Sequence, residues 1–418
     1  MSDRSASSHA PWLTVVGLGE NGLAGLGREA KQAIAAARTV FGGTRHLELA
    51  QDLITGEAQA WLSPFERSME AVAALRGTPV TVLASGDPFL HGVGVTLARR
   101  IDPAEMRVIP APSAFSLAAA RLGWALQETV CLSLHGRPIS LIRPHLHPGT
   151  RILALTSDET GPAALAALLT EAGFGPSRLT VLEALGGPRE RIRLSAAREL
   201  ALSDCDPLNI CAVEVVAERG AAIFGLAPGL DDHLFEHDGQ ITKREVRALT
   251  LSALRPRRGA LLLDIGAGSG SIAIEWMLAD PSLRAIAVEA VPERAARIRR
   301  NAERFGVPFL RVVEGPAPAA LADLPAPDAI FLGGGGSEPG VLDAALALLA
   351  PGGRLVANAV TLEMEAVLLA RHAALGGSLL RIDIARAAPV GGMTGWRPAM
   401  PVTQWTYDKP SGEETARP

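Results

Sequence analysis

Short apolar runs that end in glycine recur along this chain, and stretches with helical spacing lie between many of them. Residues 12–17, 80–84, 108–111, 130–133, 151–155, 179–183 and 210–216 have the length and apolar content of strands. A stretch ending at about Ala37, together with 113–122 and 163–172, carries the helical pattern. Such alternation predicts parallel α/β units. Residues 221–239, rich in Gly, Asp and His and holding Pro228, break the rhythm. A domain boundary is expected there, near residue 229, between a domain over 11–228 and one over 229–408. Beyond it, 243–254 reads as a leading helix, with strands starting at 260, 284, 310, 329 and 354. That order predicts an open, doubly wound sheet. Residues 379–387 and 400–407 close it as two strands without an intervening helix, which suits an antiparallel hairpin. Residues 1–10 and 409–418 read as loose ends.

The most informative run is 260–265 (ALLLDI), which carries Asp264 and passes directly into Gly266, Gly268 and Gly270. A buried strand turning through glycines into a helix brings bare backbone N–H groups close to a ligand. The next strand ends on Glu289, about 20 residues on, where such folds hold a ribose diol. These glycines fall at every second position, unlike the G-x-G-x-x-G of dinucleotide sites, which favours S-adenosylmethionine over NAD. Glu314, ahead of Gly315, ends the third strand and is either an adenine contact or a solvated strand end. Gly333 opens a run of four glycines, an entropic cost that suits close approach to a ligand. In the first domain, Gly17 and Gly19 follow a strand, as do Ser85, Gly86 and Asp87; a tight turn capped by Asp87 is the competing reading. Ser113 starts a helix and is an N-cap before it is anything else. A side chain at Gly86 is expected to block a ligand and spare the fold.

Composition narrows the class. A net charge of −4 with aromatics at 4% argues against a nucleic-acid partner. Cys131, Cys205 and Cys211 lack metal-ligand or disulfide-frame spacing and fit a reducing compartment. No apolar run approaches a membrane span and the first ten residues lack a signal peptide's core, so the cytoplasm is expected. The nine histidines, His9 and His145-x-His147 included, form no convincing ligand set, and no metal site is expected.

Gly17-Leu18-Gly19, Ser85-Gly86-Asp87-Pro88 and 112–116 (PSAFS) resemble the three loops of the tetrapyrrole (precorrin) methylase family. Residues 229–418, with ITKREVR at 241–247 ahead of the Asp264 loop, resemble a precorrin methyltransferase of the Rossmann-like class. Glu20 departs from the proline many methylases carry in the first loop. The resemblance implies an α/β chain with a tetrapyrrole-methylase fold of two α/β subdomains, then a Rossmann-like domain with a doubly wound sheet. It implies one S-adenosylmethionine per domain, a precorrin macrocycle as substrate and a homo-oligomer. By the same resemblance the first domain methylates C5, and the second methylates C15 and removes the C12 acetate carboxylate. The macrocycle supplies the carbon nucleophile, so the protein's task is alignment, worth ~7–11 kcal/mol. Thr242 and Lys243 would present a hydroxyl and a cation beside the transferred methyl. Arg244, Arg247 and Arg397, the last in a glycine-rich loop, are candidates for the macrocycle's carboxylates or for a solvated face. Metal-free and cobalt-containing substrates remain open. So do a methyltransferase for another large anionic metabolite and a sensor that binds without turnover.

Overall fold

The computed structural model describes residues 11–411, which divide into two compact units: 11–139 with 147–221, and 140–146 with 222–411. The division falls after Ala221, earlier than the break expected near 229.

The first unit holds two five-stranded sheets. Strands β1 (Leu13–Leu18), β2 (Thr39–Gly42), β3 (Glu57–Ala60), β4 (Val80–Ser85) and β5 (Met106–Ile109) pair in the order β3-β2-β4-β1-β5, all parallel. Leu13, Val15, Val16, Val82 and Leu83 are fully buried, so β1 and β4 read as continuous apolar runs, as central parallel strands do. The exposed edge strand β3 (EAQA) has no apolar pattern and escapes a reading by periodicity.

The other sheet comprises β6 (Thr129–Ser133), β7 (Arg151–Leu155), β8 (Arg178–Glu183), β9 (Arg191–Ala196) and β10 (Asn209–Glu214), in the order β6-β7-β10-β8-β9. Only β6 and β7 run parallel; the remaining pairs are antiparallel, which corrects the expectation of parallel units throughout. A turn with Ala184 at φ 44° and Gly186 at φ 83° sends β8 directly back as β9 without a crossover helix.

The second unit is a seven-stranded sheet. Its parallel part is β11 (Leu261–Ile265), β12 (Arg284–Glu289), β13 (Arg311–Glu314), β14 (Ala329–Leu332) and β15 (Arg354–Ala359). β16 (Ser378–Ile382) follows, then a separate hairpin of β17 (Ala385–Val390) and β18 (Met393–Pro398), then β19 (Val402–Asp408). The order is β13-β12-β11-β14-β15-β19-β16, with β19 antiparallel to both neighbours. The strand expected over 379–387 therefore breaks after Ile382, and the supposed loop at 391–398 is mostly β18. Along β11, Leu262 joins one apolar cluster with Trp276 and Phe305, while Leu263 joins another with Leu342 and Leu368. Period-two alternation thus buries both faces under helices. Strand order reverses between β11 and β14, and ligand crevices open at such a switch point.

Candidate active sites

In the first unit three loops converge at the carboxyl ends of β4, β1 and β5. A Cβ on Gly17 would stand 2.0 Å from Gly86 O and 2.5 Å from Ala111 N, so only glycine fits. Gly86 N donates to Leu18 O at 3.1 Å, and Ala111 N donates to Gly86 O at 3.2 Å. Gly86 itself sits at φ +54° with its Cβ position 2.9 Å from Pro112 O. The expectation of a ligand-blocking Gly86→Val with an intact fold is therefore corrected: that side chain would pry the loops apart. Gly19 is less constrained, its Cβ position 3.0 Å from Asn21 Oδ1. Asp87 Oδ1 accepts from Phe89 N at 2.8 Å, and Ser113 Oγ accepts from Ser116 N at 3.1 Å. Both perform the turn and cap duties that small polar residues commonly take.

Periodicity and motif leave two residues here unnoticed. Arg45 donates to Ser85 Oγ at 3.2 Å, and His46 Nε2 lies 2.9 Å from the same hydroxyl. Burial, with the Arg45 guanidinium adding to it, pushes His46 down to about 4, so the ring is neutral at pH 7. Glu20, the departure in the first loop, ion-pairs with Arg45 and lies 3.6 Å from Arg189 beyond β8. Its carboxylate links the two sheets where a proline would have no charge to offer. Thr44, Arg45 and His46 follow the short strand β2, and no recognised spacing singles them out.

The second unit holds a cavity of about 850 Å³ at its switch point. Asp264, Gly266, Gly268, Glu289, Gly315 and Gly333 line it, joined by Thr242 and Lys243 from the start of helix Arg244–Leu254. Gly266, Gly268 and Gly270 have φ of +68°, +59° and +77°, a left-handed conformation that accounts for glycine at alternate positions. A Cβ on Gly266 would come within 2.6 Å of Gly334 O, so the β11 and β14 loops touch. Glu289 Oε2 accepts from Gly268 N at 2.8 Å and its Oε1 from Val291 N at 3.0 Å, which presents the carboxylate at the loop. Asp264 Oδ2 accepts from Ala273 N at 3.3 Å, whereas its buried Oδ1 has no hydrogen-bond partner.

Burial pushes the Asp264 carboxyl up to about 7 from 3.8. Below pH ~4 both folded and unfolded chains hold this proton, so the group contributes nothing to stability. Between pH ~4 and 7 the unfolded chain releases it while the folded one keeps it, and stability falls as pH rises. Asp264→Asn should therefore gain stability over the parent at pH 8 and lose that advantage near pH 4. Urea unfolding of both proteins at the two pH values checks this; equal midpoint differences would contradict it.

Several residues expected at the site lie elsewhere. Gly270 is behind the loop, its Cβ position 2.8 Å from Ile298, and Glu314 accepts from Arg299 at 2.7 Å. Arg244 pairs with Asp231 at 2.7 Å. Arg247, expected to hold a substrate carboxylate, is fully buried and is a structural residue instead. It donates to Glu275, Asp232, Leu230 O and Thr242 O, because helix Arg244–Leu254 turns it towards the sheet. Arg397 is on β18, opposite Arg386 of β17, and it is Arg386 that lines the cavity. Val360, Ile382, Ile384, Met400 and Val402 add an apolar wall that motif reasoning missed.

The Tetrapyrrole (Corrin/Porphyrin) Methylases model matches residues 13–201, and the Precorrin methyltransferase domain model matches 233–409. A Sinorhizobium sp protein named precorrin-6Y C(5,15)-methyltransferase [decarboxylating] is 68% identical over 98% of this chain and 100% of its own length. The chain belongs to the precorrin-6Y C(5,15)-methyltransferase (decarboxylating) family. It is accordingly a methyltransferase enzyme of cobalamin biosynthesis, and the family implies S-adenosylmethionine as methyl donor. The solved C-terminal domain of the Rhodobacter capsulatus precorrin-6Y C5,15-methyltransferase is 52% identical, covering 44% of this chain and 100% of that one (TM-score 0.43). A Pyrobaculum calidifontis relative, 44% identical over 32% of this chain and 72% of its own length, is named a probable cobalt-precorrin-6B C(15)-methyltransferase (decarboxylating). The second cavity fits the donor: Gly266, Gly268, Gly315 and Gly333 line it without side chains, and Asp264 keeps a buried oxygen unpartnered. Among the described residues no helix is long and apolar enough to cross a membrane, and no group of three or more His, Cys, Asp or Glu is placed to hold a metal.

Proposed function

We propose that this chain methylates precorrin-6Y at C5 and C15 and removes the C12 acetate carboxylate, giving precorrin-8X. Each unit binds its own S-adenosylmethionine, the first unit serving C5 and the second serving C15 and decarboxylation. The observation that carries this reading is the pair of separate glycine-loop constellations, at Gly17 with Gly86 and at Gly266 with Gly268, one in each unit. The Pyrobaculum calidifontis relative, named for C15 methylation and decarboxylation alone, supports assigning both steps to one unit. The donor supplies an electrophilic methyl on a sulfonium. The protein's own residues then orient and shield. The side-chain-free glycine backbone lets the donor approach closely and Glu289 holds it, while the apolar wall at Ile384 and Met400 strips water from the acetate that leaves as CO₂. Lys243 anchors a neighbouring carboxylate; pairing it with the departing one would stabilise the ground state and slow the step. Net charge −4 argues against a nucleic-acid partner, the family resemblance supports a cytoplasmic homo-oligomer, and the substrate in this reading is metal-free.

The full chain, given precorrin-6Y and donor, should yield a macrocycle heavier by two methylenes and lighter by one CO₂ in the mass spectrum. A chain that binds donor but leaves the macrocycle unchanged and forms no S-adenosylhomocysteine would be a sensor, and the reading would fall. A competing preference for the cobalt-containing substrate would show as faster turnover of that form.

A further inference from the structure

The second cavity has a polar side of glycine loops and an apolar side at the ends of β15, β16 and β19, and Arg386 stands where the apolar side gives way to the hairpin. Its guanidinium donates to both oxygens of Glu245, with Nε 3.3 Å from Oε1. Glu245 is in the first turn of helix Arg244–Leu254, two residues after the cavity-lining Lys243, so the pair connects hairpin and helix beside the cavity. Both side chains are about half exposed, at 50% and 43%. Arg386 also lies directly across from Arg397 in the hairpin register. Like charges in that position repel, and Glu245 neutralises only one of the two. The hairpin base therefore sets two guanidinium groups side by side, of which Glu245 engages one.

The other arginine lining the cavity is differently placed. Arg294 shares Asp238 with Arg297, at 2.8 Å and 3.1 Å, and Asp238 also accepts from Gln240 N. That three-way arrangement is a brace. The Arg386–Glu245 pair is one-to-one and half exposed, so water screens it and a second carboxylate can reach the guanidinium to compete. A guanidinium's planar fork suits a carboxylate better than a lone ammonium does.

We infer that Arg386 is a specificity residue that grips one side-chain carboxylate of the macrocycle in the second unit, with Glu245 holding the guanidinium in place until the substrate displaces it. The inference rests on the proposed function, since it needs a polycarboxylate substrate. Glu245 competes with the substrate, as a purely structural partner would not, so its removal should improve binding.

Full-length R386Q, E245Q and R386Q/E245Q are compared with the parent in precorrin-6Y turnover, in donor affinity by calorimetry and in unfolding midpoint. R386Q should raise KM for the macrocycle by about tenfold or more, the loss of a charge-assisted pair, with kcat and donor affinity nearly unchanged. E245Q should lower KM several-fold, and the double variant should match R386Q. If E245Q raises KM as R386Q does, the pair is a brace and the inference is overturned. An R386Q with parental KM also overturns it. A parent chain that turns over no macrocycle would instead overturn the function itself, and the two failures are read from different samples. Should R386Q not fold, the direction of the E245Q change still decides.

Discussion

Gly268→Ala is expected to abolish C15 methylation while C5 methylation continues. Gly268 sits at φ +59°, and a Cβ there meets only Gln240 O at 3.7 Å, within ordinary contact. The fold therefore bears only the left-handed strain of one alanine, about 1–2 kcal/mol. The new methyl projects where the donor must approach the loop, beside the N–H that Glu289 accepts. Displacing the donor by about 1 Å is enough to cost ~100-fold or more in rate. Gly266→Ala would be a poorer test, since its Cβ strikes Gly334 O and opens the junction of two loops. The measurement is the macrocycle product of the variant, which should gain one methylene where the parent gains two. A product carrying both methyls would remove Gly268 from the donor site.

Arg247→Met is expected to lower the unfolding midpoint of the second unit by ~6–20 °C, a loss of about 3–5 kcal/mol. The side chain has no exposed surface, and Glu275, its partner, is also buried. Glu275 further accepts from Gly229 N and Leu230 N, so the pair fixes the entry of the chain into this unit. Removing the cation leaves a buried carboxylate without its main counter-charge. Calorimetric unfolding checks the size of the effect, and KM for the macrocycle in the folded fraction should stay near the parent's. A stable variant with a raised KM would return Arg247 to the substrate site.

How far the chain could be read from its letters varied with burial. β1, β4 and β11 are central parallel strands, apolar over most of their length, and their glycine loops stand out because backbone must approach backbone at Gly17 and Gly266. β3 and β9 lie at sheet edges, where half the side chains meet water and the apolar signal vanishes. The break at Asp383 and the hairpin after it escaped notice because a lone Asp between Ile382 and Ile384 is a weak turn signal for the first and glycines obscured the second. Arg244, Arg247 and Arg386 illustrate the same limit among charges. Spacing on a helix says which residues share a face, but only the packed structure says whether that face meets a cavity, a sheet or solvent. Arg45, His46 and Glu20 converge from separate segments, so their grouping was invisible to any local pattern.

One donor site in each unit is the claim on which the divided chemistry depends. Calorimetric titration of the full chain with S-adenosylmethionine, on the parent and on Gly268→Ala, tests it most directly. Two sites per chain in the parent and one in the variant are expected. A single site in the parent that disappears in the variant would contradict it.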